Sequence, residues 1–214
     1  MFVFEVPGHA YYVVLTSGNL ATSQSILHRI EHDLQSPNTA ESLATMGDMS
    51  DAARYVGQIG AGIKNFYSHE LKQGANFDCS VILGGQIQGK PHEIFLIYPE
   101  GNFIQSSPYV PFLQIGEIKY GKPILDRIIN ENTSLERAAR CAMVSLDSTT
   151  RSNLTVAPPF DLLIYETGTF RASHRARMEL NSPYYAELRK CWGEGLKSVF
   201  DQLPLFDWEL PPGP

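Results

Sequence analysis

The sequence predicts an α+β fold in which antiparallel sheets carry helices on their outer faces. Strand-like segments occur in groups and do not alternate singly with helices. Helical periods come in pairs between those groups. Short turn signals, Pro7-Gly8-His9, Gly89-Lys90-Pro91 and Glu100-Gly101, separate consecutive strands as in hairpins and meanders. The order is strands, two helices, strands, two helices, strands, helix. No internal repeat, linker or low-complexity stretch interrupts it. One domain therefore spans residues 1–203, and 204–214 is a proline-rich tail.

In chain order, Phe2 to Val6 and Ala10 to Thr16 read as a hairpin, ended by Ser17-Gly18-Asn19. Leu20 to Ser36 places Ile26, Leu27, Ile30 and Leu34 at helical spacing, and Pro37-Asn38 is expected to break that helix. Asp51 to Leu71 reads as a second helix. Its Gly57, Gly60 and Gly62 each cost about 1 kcal/mol against Ala, which points to close packing on a sheet or a helix. Cys79 to Ile87, Glu93 to Tyr98 and Asn102 to Gln105 form a meander, with a further short strand expected over Phe112 to Ile115. A helix follows Gly116 through Ile129. Another opens at Thr133, whose spacing to Glu136 fits a capping box. Phe160 to Glu166 and Phe170 to Met178 read as a second hairpin. A last helix starts at Ser182-Pro183 and runs to about Leu203, with proline at the first helical position. The tail Pro204 to Pro214 has four prolines and is expected to be irregular, with Leu205 to Trp208 docking on the body or on a neighbouring subunit.

Composition bounds the function. With 43% hydrophobic and 19% charged residues, 214 residues suffice for a core without staples. A net charge of −6 argues against nucleic-acid binding and against docking on an anionic membrane. Cys79, Cys141 and Cys191 are odd in number and widely spaced, so reduced thiols in a cytoplasmic protein are expected, not a disulfide framework or a zinc knuckle. The start has no signal-peptide pattern, and no apolar run approaches membrane-spanning length. The glycosylation patterns at Asn132 and Asn153 are read as chance.

Six segments together carry a family resemblance: LTSGNLATSQ (Leu15 to Gln24), SVILGGQIQG (Ser80 to Gly89), FLIYPEGNFI (Phe95 to Ile104), QIGEIKYGKPILDRII (Gln114 to Ile129), SLDSTTRSNLTV (Ser145 to Val156) and DLLIYE (Asp161 to Glu166). In this order they resemble the Anbu (ancestral beta subunit) family of bacterial proteasome-type peptidases, over nearly the whole chain. The resemblance implies a four-layer αββα sandwich, two antiparallel sheets between helix layers. It implies peptide-bond hydrolysis, self-association into ring-like or helical homo-oligomers, a peptide or unfolded-protein substrate, and no cofactor or metal. Family members begin with a threonine whose free amine is its own base, supported by an aspartate and a lysine. No residue here matches those three. The first hairpin is expected to be missing and the chain as written to be inactive. A non-catalytic assembly subunit is the alternative.

The resemblance also assigns roles. Gly18 matches the turn whose N–H donates to the oxyanion, and the competing reading is a glycine needed only for the turn. Ser152 and Thr155 stand where relatives carry an Asp and a Ser that orient the terminal amine, although local capping explains such hydroxyls equally well. Glu117 stands where a serine often flanks that amine and is read as structural. Other candidates come from the residues alone. His28 and His32, in the pattern H-x-x-E-H, fit two zinc ligands on one helix face but lack an evident third. Asp147 and Asp161 as paired carboxylates have nothing to fix their separation. Trp192 and Trp208 read as packing or interface anchors.

Overall fold

The computed structural model describes residues 1–36, 39–70 and 75–210. The break expected at Pro37-Asn38, the helix end at Leu71 and the last four tail residues lie outside them. Among the described residues are two antiparallel sheets and five α-helices. The first sheet runs in simple order through β1 (Phe2–Val6), β2 (Ala10–Gly18), β3 (Cys79–Ile87), β4 (His92–Ile97) and β5 (Phe103–Gln105). The second pairs β6 (Phe160–Tyr165) with β7 (Ala172–Met178).

Side chains alternate across a strand, so every second residue of the central strands faces the same core. Tyr12 and Val14 of β2, Val81 and Leu83 of β3, and Phe95 and Ile97 of β4 meet there. Onto them pack α1 (Leu20–Gln35), through Ile26, Leu27 and Ile30, and α2 (Met49–Glu70), through Met49, Ala52, Ala53 and Val56. The Tyr12 hydroxyl, fully buried, donates to the Leu43 carbonyl at 2.9 Å, so its burial leaves no polar atom stranded. Gly57 accounts for one of the helix glycines. A Cβ there would overlap the Gly101 carbonyl in the turn between β4 and β5. Helix and turn meet backbone to backbone, which only glycine permits.

A smaller cluster holds the second sheet to α4 (Leu135–Thr150) and α5 (Pro183–Phe200) through Met143, Phe160 and Tyr185, with Leu146, Met178 and Leu188 at its margin. The short α3 (Lys122–Ile128) lies against α4. The two sheets touch where Tyr11 stacks on Tyr165, with ring centroids 5.1 Å apart. There the Tyr165 hydroxyl and the Gly168 N–H both donate to Gln86 Oε1, at 2.6 and 2.7 Å. No helix among the described residues is long and apolar enough to cross a membrane.

Three expectations are corrected. Phe112 to Ile115 is half-buried but joins neither sheet, and the bend before it pairs only with itself, Ser107 with Val110. Lys122 instead covers the Phe112 ring. The N-cap of α4 is Ser134, whose Oγ accepts from Arg137 N. Thr133 is not the cap, since its hydroxyl is engaged with Ile128 O and Asn130 N. The tail is not wholly irregular: Asp207–Glu209 form a 3₁₀ turn, closed by the Glu209 carboxylate accepting from Phe206 N at 2.7 Å. Residues 204–210 are all exposed, Trp208 to 79%, so of the two docks expected for them the body is not the one used among the described residues.

Candidate active site

The site is built at the end of β2. Gly18 pairs with Cys79 at the last rung of the β2–β3 ladder and has φ +115°, a value that L side chains rarely adopt. A Cβ would also collide with the Asp78 carbonyl. Two independent constraints thus require glycine here. The chain then turns into α1. Asn19 caps the helix, accepting from Thr22 N at 3.1 Å, and is itself pinned by Asn19 N to Asp78 O (2.8 Å) and by Nδ2 to Asn76 O (2.9 Å).

The turn faces a pocket of about 490 Å³ lined by Ser17, Gly18, Asn19, Asp78, Ser80 and Gly116. Asp78 is fixed by Lys64, whose Nζ lies 2.7 Å from Oδ1 and 2.9 Å from Glu100 Oε1. Hydrogen bonds to those two carboxylates hold the Lys64 ammonium above the usual lysine range. Cys79 beside the turn is buried. Burial pushes its thiol pKa up, and its Sγ sits 3.2 Å from Ser23 Oγ. A larger pocket, about 660 Å³, lies between α1 and α2 around Arg29, Asp33 and Tyr55, and shares no lining residue with the first.

A continuous line of contacts leads from Gly18 to the other candidates. A Cβ on Gly116 would lie 3.0 Å from Ser17 Oγ, so these segments touch. Next to Gly116, Glu117 accepts from Asn153 Nδ2 at 3.0 Å and from Lys119 N at 2.9 Å. Asn153 in turn accepts from Thr155 N (2.9 Å) and from the Thr155 hydroxyl (2.6 Å). Thr155 therefore reaches the site only through Asn153. Ser152 is exposed at the end of α4, and its hydroxyl makes no hydrogen bond among the described residues. The sequence reading missed Asn153 as an organiser. Its partner Glu117 is 36 positions away, and no local pattern joins them.

The remaining candidates separate. His28 and His32 are exposed on α1, and the His32 ring is 3.2 Å from Asp33. No group of three His, Cys, Asp or Glu able to hold a metal occurs among the described residues. Asp161 is engaged with Arg177 across the β6–β7 hairpin, apart from Asp147. Asp147 is fully buried between α4 and α5. It accepts from the Tyr185 hydroxyl at 3.0 Å. It also lies 2.9 Å from Arg189 Nε, an ion pair without hydrogen-bond alignment, and 3.6 Å from Arg151 Nε. It ties the helices together next to the Ser152 loop.

No protein-family model matches the chain, and no curated protein matches it. Solved structures do. Anbu (ancestral beta-subunit) from Yersinia bercovieri is 42% identical, with a TM-score of 0.90 over 96% of this chain and 85% of that one. The Anbu complex of Pseudomonas aeruginosa, solved as a helical assembly, is 40% identical, with a TM-score of 0.91 over 98% of this chain and 86% of that one. Anbu from Hyphomicrobium sp. strain MC1 is 38% identical, with a TM-score of 0.88 over 96% and 85%. At that identity across nearly its full length, this chain belongs to the Anbu (ancestral beta-subunit) family.

Proposed function

We propose that these residues are the body of a proteasome-type peptidase subunit that hydrolyses peptide bonds with an N-terminal threonine, and that the threonine lies outside residues 1–214. The threonine hydroxyl attacks the scissile carbonyl while its own amine takes the proton. The Gly18 N–H donates to the resulting oxyanion. The leaving amine departs with the proton, and water then hydrolyses the acyl-enzyme. The Glu117–Asn153–Thr155 line and Ser152 orient the terminal amine. The observation that carries this reading is the Gly18 turn, a side-chain-free stretch of backbone facing a polar pocket in an Anbu family member.

The four-layer αββα arrangement is part of the same reading. Helices α1 and α2 form the first layer, the two sheets the middle layers, and α4 and α5 the last. A two-stranded sheet is marginal alone, and Leu162, Leu163 and Ile164 of β6 are only half-buried. Both facts support further strands pairing there. Self-assembly is the third part, supported by the relative solved as a helical assembly and by the exposed apolar C-terminal region. That same exposure favours the second reading, a non-catalytic assembly subunit.

The test is the intact mass and N-terminal sequence of the protein from its native host, with hydrolysis of fluorogenic peptides. A threonine-led protein that cleaves peptides supports the peptidase. A protein beginning at Met1 or Phe2 without hydrolysis leaves the assembly subunit. In the active form, Gly18→Ala keeps the N–H, but its Cβ meets the Asp78 carbonyl and shifts the turn, so kcat is expected to fall by up to about 100-fold, the size of misplacing one oxyanion donor, with circular dichroism as the folding control.

A further inference from the structure

Three consecutive residues ahead of β3 grip the turn that carries Gly18. Asn76 O accepts from Asn19 Nδ2 at 2.9 Å, Phe77 O from the Thr22 hydroxyl at 3.0 Å, and Asp78 O from Asn19 N at 2.8 Å. The same Asp78 carbonyl is the group that a Cβ on Gly18 would strike. The Gly18 peptide therefore stands where residues 76–78 put it.

Two contacts hold those residues against α2. The Phe77 ring lies on Tyr67, with centroids 5.4 Å apart, and the Tyr67 hydroxyl shares a hydrogen bond with Ser25 of α1 at 2.9 Å. One turn earlier on the same helix face, Lys64 holds the Asp78 carboxylate, and it is the one cation in ion-pair reach of Asp78 among the described residues. The Lys64 ammonium also contacts Glu100, whose neighbour Gly101 meets α2 backbone to backbone. One cation thus ties α2, the turn between β4 and β5, and the Gly18 turn. The Lys64 side chain is 25% exposed, less than either carboxylate it joins. A lysine ordinarily reaches into water, and this one is folded in between two acids.

We propose that Lys64 is a positioning residue: through Asp78 it fixes the Gly18–Asn19 turn, and so the direction of the N–H that donates to the oxyanion. The catalytic part rests on the peptidase reading, and the grip on the turn does not. Removing Lys64 acts on Asp78 twice. It frees the carboxylate, and it leaves that carboxylate facing Glu100, a like charge. Both effects move Asp78, and the carbonyl that receives Asn19 N moves with it. Partly exposed ion pairs contribute little to folding, whereas a displacement of about 1 Å at a reacting group can cost about 100-fold in rate. Stability and turn geometry therefore respond to Lys64 on different scales, which separates positioning from a merely structural role.

The experiment uses the full chain with Lys64→Met, Lys64→Arg and Arg54→Met. The last removes another ion pair of α2, with Asp51, away from the turn. The first readout is hydrogen exchange at the Asn19 amide, which is bonded to Asp78 O. Lys64→Met is expected to speed it by about 10-fold or more, with the Val13 and Val14 amides of β2 and the thermal midpoint unchanged. Lys64→Arg keeps a cation able to bridge two carboxylates and is expected to restore slow exchange, and Arg54→Met to leave it slow. The second readout, in the threonine-led form, is a fall in kcat of about 10-fold or more at unchanged KM, again rescued by arginine. Unchanged Asn19 exchange in Lys64→Met overturns the grip. Faster exchange at Asn19, Val13 and Val14 alike is general destabilisation and overturns it too. Faster exchange at Asn19 with kcat unchanged overturns the role in catalysis. A threonine-led form that cleaves no peptide overturns the peptidase reading, while the exchange result still decides whether Lys64 holds the turn.

Discussion

The two halves of the molecule treat apolar surface in opposite ways. The half built from β1 to β5, α1 and α2 closes on itself around a single core in which Tyr12, Val14, Ile26, Ile30, Leu83 and Val56 are fully buried. The half built from β6, β7, α4 and α5 has a core cluster of only three buried residues, Met143, Phe160 and Tyr185, while Leu196, Phe200 and Trp208 stand in water. Area removed from water drives folding. The first half therefore carries most of the stability of the isolated chain, and the second depends on what covers it.

The sharpest test compares one substitution in each core. Phe95→Ala removes a 2% exposed ring packed edge-on against Phe103. It is expected to cost about 3–5 kcal/mol, read from denaturant midpoints. Phe160→Ala empties a small core with half-exposed neighbours that can collapse into the space, and is expected to cost roughly 2 kcal/mol. Equal losses would break the contrast. Native-state hydrogen exchange should rank the halves the same way, with β6 and β7 amides exchanging before those of β2 and β3.

A smaller effect concerns pH and belongs to the first half. Burial alone would raise the Asp33 carboxyl, but hydrogen bonds from Arg29, His32 and Tyr55 outweigh it and hold its pKa below the usual carboxylate value. A pKa lowered in the folded state contributes stability above the unfolded value, about 3.9. That contribution is lost as pH falls through the lower folded value. Asp33→Asn should cost about 1 kcal/mol near neutrality and flatten the acid limb of the stability profile. An unchanged acid limb would remove Asp33 from the account.

The halves also differ in how far the sequence exposes them. The strands β1 to β4 and helix α1 follow from period-2 and 3.6-residue patterning, with ends displaced by at most two residues. The Gly18 turn is visible as Ser-Gly-Asn between a strand and a helix. Phe112 to Ile115 has strand composition but joins neither sheet, and pairing is a property of the fold, not of four residues. The Glu117–Asn153 contact and the Asp147–Tyr185–Arg189 cluster join residues 36 to 42 positions apart, beyond any local period. In the second half, adjacency of this kind replaces pattern.

The meeting of Gly57 with Gly101 has a consequence for anyone improving this protein. Helix α2 offers three glycines, and replacing helix glycines with alanine is a routine route to thermostability. At Gly62 nothing lies within 4 Å of a new methyl group, and Gly62→Ala should raise stability by roughly 0.5–1 kcal/mol. At Gly57 the same exchange drives a methyl into the Gly101 carbonyl and must lever the helix off the sheet. A consensus library that treats the two positions alike would discard its gains at one through losses at the other.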